Sequence, residues 1–172
     1  ATLRLFADIN VYNLTKSNSF KIEDLNDQKT AIFIILPDYN TTYYGVASLF
    51  VDQIYTKLAD VADLQGGRLK RRVNFILDAF GNFAVIPDFA TKLTVAGGRG
   101  IRFNLFLQST AQLESDSKKV KYGKEGARTI VGNCEYWIFL SSDLDTRKMI
   151  SEEIGDYSTM SKSESNSYNG TR

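Results

Sequence analysis

The 172-residue sequence has no histidine. That excludes a Ser-His-Asp or Cys-His catalytic triad and every histidine-containing zinc site. Cysteine is nearly absent too: the single Cys134 rules out an internal disulfide framework and suits a reducing compartment. Cys134 lies in an apolar stretch and reads as a packing position rather than a reactive thiol. Net charge is only +1 at pH 7, so any basic function has to come from local patches. No apolar run approaches the ~20 residues of a membrane span, and the first residues lack the charged-then-apolar order of a signal peptide. Only two prolines occur; Pro37 stops an apolar run, and Pro87 suits the first turn of a helix over about 88–95.

What is present describes an ordinary globular protein, with 43% hydrophobic and 24% charged residues. The length fits one domain able to bury roughly 70% of its unfolded surface. Residues 1–156 read as that domain and 157–172 as a polar mobile tail, rich in serine and threonine with hardly any apolar content.

Four apolar runs alternate with helical patterns. Thr30–Leu36, Val73–Leu77, Ile101–Gln108 and Cys134–Leu140 have the length and composition of strands buried on both faces. Between the first two, Val46, Phe50, Ile54, Leu58 and Val61 recur at helical spacing up to about Asp63, where Gly66 and Gly67 end the pattern. Thr41 or Thr42 suits its start. Helical pattern is also read over Ala1–Asn13, over Ser109–Leu113 and Glu125–Val131, and over Leu144–Ile154 with Gly155 closing it. The order gives an α/β fold with a mainly parallel sheet.

The run Val73–Leu77 ends in Asp78, followed at once by Ala79, Phe80, Gly81 and Asn82. This is how a buried parallel strand delivers a carboxylate to a sheet edge, where the Mg²⁺ of a nucleotide can meet it: a Walker B element. Many such elements carry a glutamate next to the aspartate to polarise the attacking water; here that place is Ala79. No G-x-x-x-x-G-K-[ST] phosphate loop occurs in the 172 residues. A turn or capping aspartate is the plainer reading of Asp78. Gln108 ends the next strand, also at a carboxyl end, where open α/β sheets place ligands; capping the following helix is its alternative.

Gly97-Gly98-Arg99-Gly100 precedes a strand rather than opening a helix, so it is not a dinucleotide fingerprint. Held on such a turn, Arg99 is either a solvated arginine or one that reaches a neighbouring subunit's nucleotide. Arg68, Lys70, Arg71 and Arg72 enter the strand of Asp78 at its other end; they suit sequence-independent DNA phosphate contacts or simply solubilise a loop. Lys118, Lys119, Lys121 and Lys124 form a second basic segment with too little aromatic interleaving to suggest stacking on bases.

The ordered series Lys29–Phe33, Leu36–Asp38, Tyr44–Tyr55, Val73–Asp78, Phe80–Asn82, Ile86–Phe89, Arg99–Phe103, Leu105–Ser109, Tyr122–Gly123, Ile130–Cys134 and Ile150–Ser151 resembles the TraG-like coupling proteins of type IV secretion and conjugation. These are DNA-pumping ATPases related in fold to RecA and FtsK. The resemblance runs from Lys29 to Gly155 and implies a RecA-like sheet flanked by helices, incomplete because the Walker A strand and phosphate loop are absent. It implies ATP and Mg²⁺ as cofactors of a complete parent, with Asp78 as the metal-facing residue, Gln108 sensing the γ-phosphate or positioning water, and residue 79 as the water activator. It further implies a hexameric ring, a DNA–relaxase substrate and secretion-channel proteins as partners. The expected location is the bacterial cytoplasm at the inner face of the cell membrane, through an N-terminal anchor of the parent.

Two positions depart from the family pattern. Ala79 replaces the catalytic glutamate, and Gly97 stands where an arginine is common, leaving Arg99 as the candidate trans-acting arginine. A sheet without its Walker A strand would leave two neighbours unpaired, so this chain is expected to be part of a longer polypeptide. The competing reading is a non-catalytic recruitment or assembly module that keeps a degenerate ATPase fold. A small RecA-fold helicase piece fits the strands but not the ordered motifs.

Overall fold

The computed structural model describes residues 8–17, 20–37, 42–116, 119–140 and 143–156. The expected tail, the first seven positions of the helical pattern read over Ala1–Asn13, Asp38, Thr41 and Lys118 lie outside them. Along the chain come α1 (Ile9–Thr15), α2 (Asp24–Asp27), α3 (Thr42–Leu64), β1 (Val73–Leu77), α4 (Phe89–Ala96), β2 (Ile101–Leu105) and α5 (Ala111–Glu114). They are followed by β3 (Ser115–Asp116), β4 (Lys119–Val120), α6 (Gly123–Gly132) and α7 (Leu144–Ile154).

The fold is α/β, with a parallel pair of strands as its centre. β1 and β2 run in register from Val73 opposite Ile101 to Leu77 opposite Leu105. Phe106 N–H donating to the Leu77 carbonyl (3.1 Å) and Phe80 N–H donating to the Phe106 carbonyl (3.0 Å) carry the pairing past the strand ends. β3 and β4 form a separate two-residue antiparallel hairpin.

Alternation along the two strands sorts their faces. Phe75, Leu77 and Ile101 are buried, whereas Asn74, Ile76, Arg102 and Asn104 are exposed. α3 and α4 cover the buried face: Phe103 stacks on Phe75 (4.7 Å between centroids) and meets Phe89 of α4 edge-on (5.2 Å) and Tyr55 of α3 (5.9 Å). Phe80, buried just past β1, lies 5.0 Å from Phe89, so the core continues under the loop that carries Asp78.

α3 buries Ala47, Ser48, Val51, Ile54, Tyr55, Leu58 and Ala62. The stripe includes the expected Ile54 and Leu58, but Val46, Phe50 and Val61 are only half-buried flanks. Gly66 and Gly67 end α3 with φ of 89° and 90°, and Gly67 N–H reaches back to the Ala62 carbonyl (2.8 Å). Pro87 precedes the cap of α4 instead of lying in its first turn; Asp88 takes the cap position with φ 51°.

Two expected strands are not strands. Thr30–Leu36 and Cys134–Leu140 carry no ladder, and Phe33, Ile35, Tyr136, Ile138 and Leu140 are largely exposed. Apolar composition favours a strand only when a neighbouring backbone satisfies its N–H and C=O groups. Among the described residues β1 and β2 pair only with each other, leaving an outer edge of each free. That is the exposure expected of a sheet lacking a central strand.

Candidate functional site

Because β1 and β2 are parallel, the residues that follow them emerge at one end of the sheet. Asp78 and Gln108 both lie there, and both are exposed. Ala79 N–H donates to Asp78 Oδ1 (2.9 Å). Ala79 itself adopts the left-handed conformation, φ 49° and ψ 40°, which costs a non-glycine residue roughly 1–2 kcal/mol. Strain of this kind gathers where a chain must turn sharply to present a group, and here it turns the chain directly after Asp78.

The floor of this end is held by partners the sequence did not disclose. Gln112 Oε1 accepts from Gln108 N–H (3.2 Å) and presses on Gly81 so closely that a side chain there would collide with it. The Lys121 ammonium donates to the Gly81 carbonyl. Ser109 Oγ accepts from Ala111 N–H (3.2 Å), starting α5. Asp143 Oδ1 caps α7 by accepting from Thr146 N–H (2.7 Å). Thr146, buried, meets Thr110 hydroxyl to hydroxyl at 3.4 Å. The i, i+4 spacing of Gln108 and Gln112 was available as a signal; Lys121 and Gly81, forty positions apart, had none.

Hydrogen bonds from Ser109 and from Thr146 N–H hold the Asp143 carboxyl below its usual 3.8. A depressed carboxylate stabilises the fold above the unfolded pKa and loses that contribution as pH falls through the folded value. Asp143→Asn, which keeps an acceptor without the charge, is therefore expected to be slightly less stable than the parent near neutrality and to converge with it below about pH 4, flattening the acid limb. Urea melts across that range check it.

At the opposite end of the sheet lie Arg68, Lys70, Arg71, Arg72 and Arg99. Leu69 N–H donates to the Arg99 carbonyl and Val73 N–H to the Gly100 carbonyl, each at 3.0 Å, tying the two basic loops together. The Arg99 guanidinium donates to both Asp63 oxygens at 3.1 Å, which raises its pKa further. Lys70 pairs with Asp27 (2.9 Å), and Arg71 Nε donates to the Asp27 carbonyl (3.1 Å). Buried Asn26 accepts from Lys70 N–H (2.8 Å) and Gln65 Nε2 (2.9 Å). Arg68 and Arg72 are exposed and most available to an outside anion. Asp78 and Gln108 are thus brought to one end, and Arg99 with the basic cluster to the other. Within a single chain Arg99 and Asp78 do not share a site.

Cys134 is half-buried, its Sγ near the Ile130 carbonyl at 3.4 Å, and burial pushes the thiol pKa up; both weaken it as a nucleophile. Among the described residues no cluster of three or more acidic or cysteine side chains forms a metal cage. No helix among them is long and apolar enough to cross a membrane.

Residues 1–172, the whole chain, match the family described as type IV secretory system conjugative DNA transfer. No curated protein matches the chain.

Proposed function

We propose a function that starts from what this match establishes: the chain belongs to the type IV secretory system conjugative DNA transfer family. Conjugative transfer of DNA through a type IV secretion system is therefore its setting. Beyond that, we read it as part of the cytoplasmic ATPase domain of a coupling protein, at the inner face of the bacterial cell membrane. There it recruits a DNA–relaxase substrate and drives it to the secretion channel, working as a hexameric ring. The observation that carries this reading is the emergence of Asp78 and Gln108 together past the ends of two adjacent parallel strands.

The residues fit part of a Mg²⁺·ATP site. Asp78 is exposed and has one oxygen engaged by Ala79 N–H, leaving the other for a cation that keeps several of its waters. A bound Mg²⁺ would neutralise charge developing on the phosphates. Gln108, with its backbone held by Gln112, orients a water or senses the terminal phosphate. The backbone donors that cradle phosphates come from outside these 172 residues. Arg99 acts across a subunit boundary, since its own chain's Asp78 lies at the other end of the sheet; Asp63 would have to release it.

Asp78→Asn in the complete gene product is expected to lower Mg²⁺-dependent ATP affinity at least about ten-fold, the effect of losing ~1.4 kcal/mol. Equal affinity, measured calorimetrically with and without Mg²⁺, would remove Asp78 from the site. Arg68 and Arg72 are read as DNA phosphate contacts. Replacing both by alanine should weaken DNA binding and reduce the slope of log affinity against log salt by about 1.5–2. An unchanged slope in fluorescence titrations would clear them of contact.

A non-catalytic assembly module is the second reading, favoured by Ala79 at the water-activating place. Ring assembly or relaxase binding that proceeds unchanged without nucleotide would support it.

A further inference from the structure

We propose that Lys121 and Tyr122 are positioning residues: together they clamp the turn after Asp78 and so fix its carboxylate. The proposal rests on the reading of Asp78 as a Mg²⁺ ligand and assigns what holds that ligand in place.

The turn needs such support. Ala79, directly after Asp78, sits in the left-handed region at φ 49° and ψ 40°. A non-glycine residue stays there only while its surroundings over-determine the conformation. The turn's own bonds are short-range: Ala79 N–H to Asp78 Oδ1 (2.9 Å), Asn82 N–H to the Ala79 carbonyl (2.8 Å) and Phe83 N–H to the Phe80 carbonyl (3.1 Å). Bonds of that kind form in several turn geometries and do not by themselves select this one.

Lys121 and Tyr122 supply long-range holds. The Lys121 ammonium donates to the Gly81 carbonyl, forty positions away. The Tyr122 hydroxyl accepts from Ile86 N–H (3.1 Å), thirty-six positions away. Ile86 is buried, so its N–H is cut off from water and depends on that acceptor. The Tyr122 ring stacks on Phe80 at 6.3 Å between centroids. Two consecutive residues therefore grip the loop at its start, through Phe80 and Gly81, and at its end, through Ile86.

The clamp has a fixed base. Lys121 N–H donates to the Glu114 carbonyl and Tyr122 N–H to the Leu113 carbonyl, each at 3.1 Å. Both residues are thereby tied to α5, where Leu113 is buried. Tyr122 also lies 6.0 Å from Phe89 of α4. By sequence Lys121 belongs to a basic segment, yet it is half-buried with its ammonium on a backbone carbonyl. That is a structural use of the charge, distinct from a solvated contact to phosphate.

In the complete gene product, Lys121→Met with Tyr122→Phe removes the donor and the acceptor while keeping most of both side-chain volumes. The double variant is expected to need about ten-fold more Mg²⁺ for half-maximal ATP binding, the low end of what residues behind a metal ligand contribute. ATP binding without Mg²⁺ should be unchanged, and Lys121→Arg, which keeps a donor, should stay within about two-fold of the parent. In an Asp78→Asn background the same pair should shift the Mg²⁺ midpoint no further. An unchanged midpoint, or an equal further shift without Asp78, in proteins that melt like the parent would overturn the proposal.

Hydrogen exchange without nucleotide separates that outcome from failure of the Mg²⁺ reading. The Ala79 and Asn82 amides bond within the turn and not to Lys121 or Tyr122. They should nevertheless exchange at least about ten-fold faster in the double variant, because the turn they belong to is released. If Asp78→Asn leaves ATP binding unaltered and these amides still loosen, the clamp stands and the metal reading falls. Unaltered exchange at both would refute the clamp. Lys121→Met alone, the milder change, is held to the same two readouts.

Discussion

Ala79→Glu in the complete gene product is expected to raise ATP hydrolysis about a hundred-fold or more, while ATP affinity changes by no more than a few-fold. The magnitude follows from restoring a positioned general base, whose contribution to proton transfer is typically ~10²–10⁴-fold. Binding is spared because the base touches the attacking water rather than the nucleotide's binding contacts. The backbone tolerates the change: Ala79 already occupies the left-handed region, and a glutamate bears much the same steric cost there as an alanine. Ala79→Gln supplies the same shape without a base and should leave hydrolysis slow. Steady-state phosphate release from the three proteins checks it. Equal rates for glutamate and glutamine would show that residue 79 does not activate water.

Phe89→Ala is expected to cost about 3–5 kcal/mol, the usual range for removing a fully buried phenylalanine. A domain of this size has only about 5–15 kcal/mol in total, so the variant should melt far below its parent or fail to fold. Phe89 is 1% exposed, and its ring lies within 5.0–6.0 Å of those of Phe80, Phe103 and Tyr122. It joins α4, β2, α6 and the turn after Asp78 in one cluster. A cavity there withdraws support from Phe80, two residues beyond the carboxylate. Phe89→Leu, which retains most of the volume, should recover much of the loss. Denaturant titration is the measurement, and a cost below about 1 kcal/mol for the alanine variant would mean that the cluster repacks freely.

Local signals were enough for much of this architecture. Leu144–Ile154 was legible because its helical pattern and the closing Gly155 agree with one another; the Asp143 cap emerged only from the structure. The end of β1 at Asp78 was legible because an apolar run meets a polar residue and a turn. Asp78 and Gln108 were both expected at strand carboxyl ends; β2 stops at Leu105, so Gln108 lies three residues beyond the strand and does not end it. Thr30–Leu36 and Cys134–Leu140 misled because their composition reports how well a segment suits a strand, whereas a ladder requires a neighbour distant in sequence. Arg99 was readable as a turn arginine, but its clasp on Asp63, thirty-six positions away, depends on where α3 ends against the sheet. The α3 stripe was legible at Ile54 and Leu58, while Ala47, Val51 and Ala62 are buried where Val46, Phe50 and Val61 were expected.

On the proposed function, the end of the sheet bearing Asp78 and Gln108 faces the metal of a bound nucleotide. Fe²⁺ substituted for Mg²⁺ with ATP, followed by ascorbate and peroxide, cleaves the backbone next to the metal. Applied to the complete gene product, it should cut around Asp78–Gly81 and Gln108–Ser109, with the cuts lost in Asp78→Asn. Cleavage confined to Arg68–Arg72 and Arg99–Gly100, or metal-dependent ATP binding without any cut near Asp78, would contradict the account.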